Sequence, residues 1–345
     1  MAKKLSRRSA MCLHLKALDK ACGSWESGLL WTSWSYLGTP RPTLVPLYTV
    51  HREGFICGMD SLGQSSVMLS TQPQDGEDIR LMSGHNIDTE EMRVVVDEFE
   101  VDRLPASIST DGEILYYPDI DARTNCMVRM SLSSGDCVGV IPAQGGYGAP
   151  SDVHCVSNGQ LFMYGYGHHK LFRTRLPPLS EYVTQSAQER LRPVEGIKWE
   201  AVADLPSDVS DMDVVARDDG KFKLVCVGYD VDTEKEYIHY VDYEGNESVK
   251  PHDVVSMCKF VPSYDELVCV AARPLSDEPS WNISLIDVLD MSVVFSVDSL
   301  CDIGCDPYVG NYCYLTITED DLVVVAQQIS SDEDAFYEFV VSRLQ

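Results

Sequence analysis

Short apolar runs broken by polar turns recur along the whole chain, and within many runs the side chains alternate with a period of two. Tyr237-Ile-His-Tyr-Val-Asp242 shows the pattern, which is that of a strand with one face buried. Helical periodicity is confined to residues 10–20 and 180–192. One unit repeats: a short β-forming run, a polar turn, then a strongly apolar run. The apolar runs begin at Phe55, Ile114, Leu161, Phe222, Leu267 and Leu322. The turns before them include Arg52-Glu-Gly54, Asp111-Gly-Glu113, Asn158-Gly-Gln160 and Asp219-Gly-Lys221. Gly, Asn and Asp tolerate the positive φ of a tight hairpin, so each turn predicts a hairpin for a physical reason.

The six anchors are spaced 45 to 61 residues apart, within the range of propeller blades. First strands are predicted at Leu47–Val50, Ala106–Ser109, Val153–Val156, Asp213–Arg217, Met257–Val261 and Tyr314–Ile317. Third strands centre on Val67, Val128, Phe172, Ile238, Ile283 and Tyr337, and fourth strands follow at Asp136–Val140, Lys198–Val202 and Ser292–Val297. The expected fold is all-β: a six-bladed β-propeller of four-stranded antiparallel blades. Seven blades is the alternative if the 59- or 61-residue interval holds a further one. The last unit ends on its third strand, which would leave an exposed edge. Closure by an N-terminal strand is therefore expected, and Trp31-Thr-Ser-Trp34-Ser-Tyr36-Leu37 is the segment assigned to it. The domain reading is a basic tail over 1–24 and a propeller over 25–345.

Composition supports a folded body, with 44% hydrophobic and 23% charged residues in 345. The net charge of -27 is unevenly placed: in the first twenty residues Lys3, Lys4, Arg7, Arg8, Lys16 and Lys20 face only Asp19, so the rest of the chain is more acidic still. So acidic a body repels phosphate backbones and anionic lipid, which argues against nucleic acid and membrane and for a protein or peptide partner of basic character. No apolar run approaches a membrane span, and twelve Cys without a secretory signal suit a reducing compartment. The expected location is cytoplasmic, with a mitochondrial transit peptide as the other reading of the basic start.

An aromatic outer strand, then Leu-Pro, a strand, a Gly turn and an apolar strand resembles a kelch repeat. The fullest copy is Trp199, Leu205-Pro206, Asp219-Gly220, Leu224–Gly228 and Tyr240–Tyr243, and Phe99 with Leu104-Pro105 is a weaker one. The paired glycines of the kelch second strand are reduced to Gly58, Gly165 or Gly228. The resemblance implies a propeller without implying its function.

The densest set of potential metal ligands is His154, Cys155, His168 and His169, but the blade register puts His154 on an inner strand and the His pair in a loop. Cys301, Cys305 and Cys313 lack a nearby fourth ligand for zinc. Asp119, Asp121, Asp230 and Asp232 are acidic loop positions, and Ser109-Thr-Asp111-Gly112 reads as a plain hairpin turn. Gly63-Gln-Ser65 lacks the second glycine of a nucleophile elbow. No catalytic residue, metal site or cofactor is assigned.

The functional expectation is an intracellular protein-binding scaffold. Inter-blade crossings and second-to-third-strand loops gather on one face, and the register puts Arg41, Arg103, Arg123, Tyr147, His168, Tyr229, His252, Arg273 and Tyr308 there as partner-binding residues, with Asp60, Asp211 and Asp230 nearby. The alternative is a propeller enzyme or metal-dependent hydrolase with its site at the channel mouth.

Overall fold

A run such as Leu267–Ala272, buried at all six positions, must be a strand covered on both faces. The computed structural model describes residues 43–72, 79–86, 92–100, 108–119, 126–134, 137–142, 153–165, 168–177, 197–205, 208–231, 233–252, 255–272, 282–298, 313–330 and 335–344. These form antiparallel sheets of four strands each. β1 (Leu44–Glu53) is taken up below. The first sheet is β2 (Phe55–Ser61), β3 (Ser66–Gln72), β4 (Ile79–Asn86) and β5 (Met92–Glu100). The second is β6 (Ser109–Thr110), β7 (Ile114–Asp119), β8 (Cys126–Ser131) and β9 (Cys137–Pro142). The third is β10 (His154–Ser157), β11 (Gln160–Gly165), β12 (Lys170–Arg175) and β13 (Glu200–Asp204).

The fourth sheet is β14 (Val209–Ala216), β15 (Phe222–Asp230), β16 (Lys235–Val241) and β17 (Glu247–His252). The fifth is β18 (Val255–Phe260), β19 (Leu267–Ala272), β20 (Asn282–Asp287) and β21 (Ser292–Asp298). The sixth is β22 (Cys313–Ile317), β23 (Leu322–Ser330) and β24 (Ala335–Leu344), completed by β1 as its outer strand. The first strand of each sheet meets the first strand of the next, and β22 returns to β2, so the sheets ring a central channel.

Apolar clusters are trapped between neighbouring sheets. Ile238, Cys258, Val268 and Ile286 fill the fourth–fifth junction, and Met68, Ile108, Leu115 and Val128 the first–second. The last–first junction holds Val50, Ile56, Val67, Val324 and Phe339. Residues on a second strand therefore serve two junctions, odd positions one side and even positions the other, which is why these strands are apolar on both faces over most of their length.

The expectation of a six-bladed propeller, with seven blades as the alternative, is corrected by the sheets themselves. Five of the sheets are full blades; the second is reduced, its inner strand only Ser109–Thr110 among the described residues. Asp111 ends that strand, because its carboxylate accepts from Glu113 N and Ile114 N at 3.1 and 2.9 Å and so closes the hairpin turn at once. The expected register also fails in the first unit. Phe55 starts an inner strand, not a second strand, and Leu47–Val50 belongs to β1, which pairs with β24 from Leu44↔Leu344 to Glu53↔Phe336. The Arg52-Glu-Gly54 turn, with Gly54 at φ 107°, has hairpin chemistry but passes the chain from one sheet to the next. The closing strand is thus β1, and Trp31–Leu37 lies outside the described residues.

The glycines of the kelch-like pattern have a packing reason. A Cβ on Gly228 would stand 2.2 Å from the carbonyl oxygen of Asp208, and one on Gly165 would stand 2.5 Å from the Phe172 ring. At Gly58 the neighbour is Ile108 of the next sheet, at 3.3 Å.

Candidate functional site

The inner strands run from the loop face, where second-to-third-strand loops and crossings lie, to the turn face, where each hairpins into its second strand. A cavity of about 540 Å³ occupies the channel toward the turn face. Gly63, Asp111, Asn158 and Glu319 stand at its mouth; Asp60, Ser109, His154, Asp213 and Lys259 line it further in.

Its carboxylates hold the ring together. Asp60 on β2 accepts Thr110 N of the second sheet at 2.7 Å and Ser61 N at 2.9 Å. From β14, Asp211 accepts Cys258 N at 2.9 Å and Asp213 accepts Phe260 N at 2.8 Å, both in the fifth sheet. Lys259 Nζ lies 3.9 Å from Asp211 Oδ1, the two side chains being 16% and 15% exposed. Every member of the group binds its proton more tightly than usual, the carboxyls because burial penalises their charge and Lys259 because three carboxylates surround it. Burial raises the Asp60 carboxyl to about 6, with Lys259 and the two backbone N–H donors opposing the rise. Burial likewise raises Asp211 and Asp213. For Lys259 burial acts downward, but Asp211, Asp213 and Asp60 together outweigh it and the net shift is upward.

These shifts define the chemistry available. Burial, reinforced by Asp213, keeps the Cys155 thiol protonated, which removes it as a thiolate nucleophile. Lys259 stays an ammonium and is no amine base or Schiff-base former. Among the described residues, Ser109 Oγ is buried with no hydrogen-bond partner, and no group of three or more His, Cys, Asp or Glu gathers to hold a metal.

Of the residues singled out in the sequence, His154 is buried on β10, its Nε2 3.5 Å from Tyr116 O. His168 and His169 sit in the β11–β12 turn on the loop face, where His169 Nδ1 is 3.0 Å from Tyr164 Oη. Asp111 is engaged as a turn residue, also accepting Tyr116 Oη at 3.0 Å. Ser65 Oγ donates to Asp320 across the turn face at 3.4 Å. Asp60, expected near the loop face, lines the channel at the turn-face end of β2 instead, and Asp211 stands near the loop-face end of β14. Cys313 is buried on β22.

On the loop face the cross-strand register brings two of the expected binding residues together. Tyr229 of β15 stands opposite Glu236 of β16, which stands opposite His252 of β17. Tyr229 is 39% exposed at the end of that row, with Asp230 beside it. His168 lies on the adjacent sheet, while Arg41, Arg103, Arg123, Tyr147, Arg273 and Tyr308, with Asp121, Asp232, Cys301 and Cys305, lie outside the described residues. The channel group of Asp213, Lys259 and Ser109 was not found by motif, because its members are scattered singly on different inner strands. The signal available was a charged residue inside an otherwise apolar inner strand.

The ring of sheets around a polar channel makes this a β-propeller protein. A crystal structure of a protein of unknown function from Dyadobacter fermentans shares that fold at a TM-score of 0.52 and 9% identity, over 89% of this chain and 100% of that one. A member of the duf4221 family from Bacteroides vulgatus matches over 88% of this chain and 99% of that one, at 8% identity and a TM-score of 0.48. The Dos1 propeller matches over 83% and 70%, at 10% identity and 0.40. No family model matches the chain, and no curated protein does. Among the described residues no helix is long and apolar enough to cross a membrane.

Proposed function

We infer that the chain is a kelch-like protein-binding scaffold, cytoplasmic, that takes a basic segment of a partner on its loop face. The row Tyr229–Glu236–His252 carries this reading. An exposed aromatic on a rigid strand end, flanked by a carboxylate and an imidazole, is the kind of anchor on which interface energy concentrates. The net charge of -27 supports the choice of a basic partner. The kelch character rests on Trp199, Leu205 and Gly228, each with a packing role: Trp199 Nε1 donates to Pro142 O at 3.0 Å, and Leu205 N to His169 O at 2.7 Å.

The test is an array of basic, neutral and acidic peptides probed with the full chain and with Tyr229→Ala/His252→Ala. Basic peptides should be retained, less so at high salt, and the double variant should lose at least about tenfold in affinity with an unchanged melting temperature. Equal retention by both proteins would remove the loop face from the proposal.

A further inference from the structure

The outer strands of the sheets form the rim of the ring, and the proposed loop-face role makes no use of them. An outer strand directs alternate backbone N–H and C=O groups away from its sheet, so it takes up another chain unless charge, proline or cover prevents it. Most of these strands are guarded. β5 carries Arg93 and Asp97, β13 carries Glu200 and Asp204, and β17 carries Lys250 and Pro251. β1 has Pro46 with a bulge before Tyr48, and β9 ends on Pro142, whose carbonyl oxygen accepts from the Trp199 indole.

β21 is not guarded. It is the outer strand of the fifth sheet, and from Ser292 to Val297 it reads Ser-Val-Val-Phe-Ser-Val, without a charge or a proline. Six residues of that kind pair readily with a further strand. Among the described residues none pairs with its outer edge. The surface beside it is apolar on both sides. Val293, opposite Ile286 on the side of the fourth sheet, is 48% exposed, and Leu289 in the preceding turn is 53% exposed. On the side of the sixth sheet, Val294, Phe295 and Val297 are half-buried against the cluster between the two sheets.

Charge lies at the ends of the strand. In the turn before it, Asp287 and Asp290 outnumber Lys250, which donates to Met291 O, and the strand closes on Asp298. A second copy of this chain would bring these acidic ends onto each other, between two bodies of net charge -27, so like charge opposes self-pairing. We propose that the outer edge of β21 takes an extended segment of a partner protein as a fifth strand, apolar at the alternate positions beside Phe295 and Val297 and basic at both ends.

The probe is the end-blocked peptide Lys-Lys-Val-Thr-Val-Thr-Val-Lys-Lys. It is titrated calorimetrically into the full chain at physiological ionic strength, and amide hydrogen exchange over residues 292–297 is followed by mass spectrometry. Saturable binding with slowed exchange over 292–297 is expected. Three changes should each weaken it at least about tenfold: Glu for Lys at the peptide ends, N-methylation through the peptide core, and Val293→Lys in the protein. Val293 is exposed, so its variant should melt as wild type does, and the N-methylated peptide leaves the protein unaltered. Tyr229→Ala/His252→Ala should leave the slowed exchange unchanged, so this edge and the loop face stand or fall separately. Absence of slowed exchange overturns the proposal, and so does binding that N-methylation or Val293→Lys leaves intact. Equal binding of the Glu-ended peptide overturns the assignment of a basic partner. Dimers seen in sedimentation and abolished by Val293→Lys overturn it in favour of a second copy.

Discussion

Replacing Lys259 by Met tests the electrostatic account of the channel. Met fills a similar volume without charge, so the change removes the ammonium and little packing. At 3.9 Å and an effective dielectric constant of about 20, the Asp211–Lys259 attraction alone is about 4 kcal/mol. Removing one partner of a buried pair costs about 3–5 kcal/mol, because the remaining charge is left uncompensated. A loss of about that size in urea unfolding is expected at pH 7.5. The loss should shrink at pH 5. Burial lifts the Asp60 carboxyl from an ordinary 3.8 to about 6 in the fold, so the folded state binds the extra proton between those values. The stability that proton contributes is complete below 3.8 and disappears as the pH rises through about 6. Without Lys259 the carboxylates hold protons more tightly still, so acidification relieves the variant more than the wild type. A loss under about 1 kcal/mol at pH 7.5, or an equal loss at both pH values, would refute the reasoning.

Two further substitutions probe the ring. Gly228→Ala sets a methyl against Asp208 O and should cost about 1–3 kcal/mol in chemical unfolding; an unchanged midpoint would show that the Asp208 backbone yields freely. Val50→Asp buries an unpaired carboxylate between the closing strand and Tyr337 and Phe339 and should cost more than about 3 kcal/mol. If the thermal transition of that variant is as cooperative and as high as that of wild type, β1 does not seal the ring.

The hairpins at Ile114, Leu161, Phe222, Leu267 and Leu322 were legible because each joins a positive-φ or polar turn to a strongly apolar run. Phe55 misled for a physical reason. Gly54 permits the same tight reversal whether the chain re-enters its own sheet or crosses to the next, and alternation cannot tell an inner strand from a second one. The loop-face residues Tyr229 and His252 could be placed once the register of the fourth sheet was right, since β14 to β17 follow one another through short turns. The channel group could not. Asp213, Lys259, Asp60 and Ser109 are separated by up to 199 positions and approach only because the chain closes on itself, a relation that no local spacing encodes.

The stub of an inner strand at Ser109–Thr110 has a mechanical consequence. A ring under load parts at its weakest joint, and among the described residues the joint between the first and second sheets relies at the channel wall on the Asp60–Thr110 hydrogen bond and on Ile108 packed against Gly58. The fourth and fifth sheets are riveted more heavily, by Asp211, Asp213, and Lys223 reaching Asp265 O. Pulled across its diameter, the molecule should yield first beside Thr110, opening like a split washer while the opposite arc stays rigid.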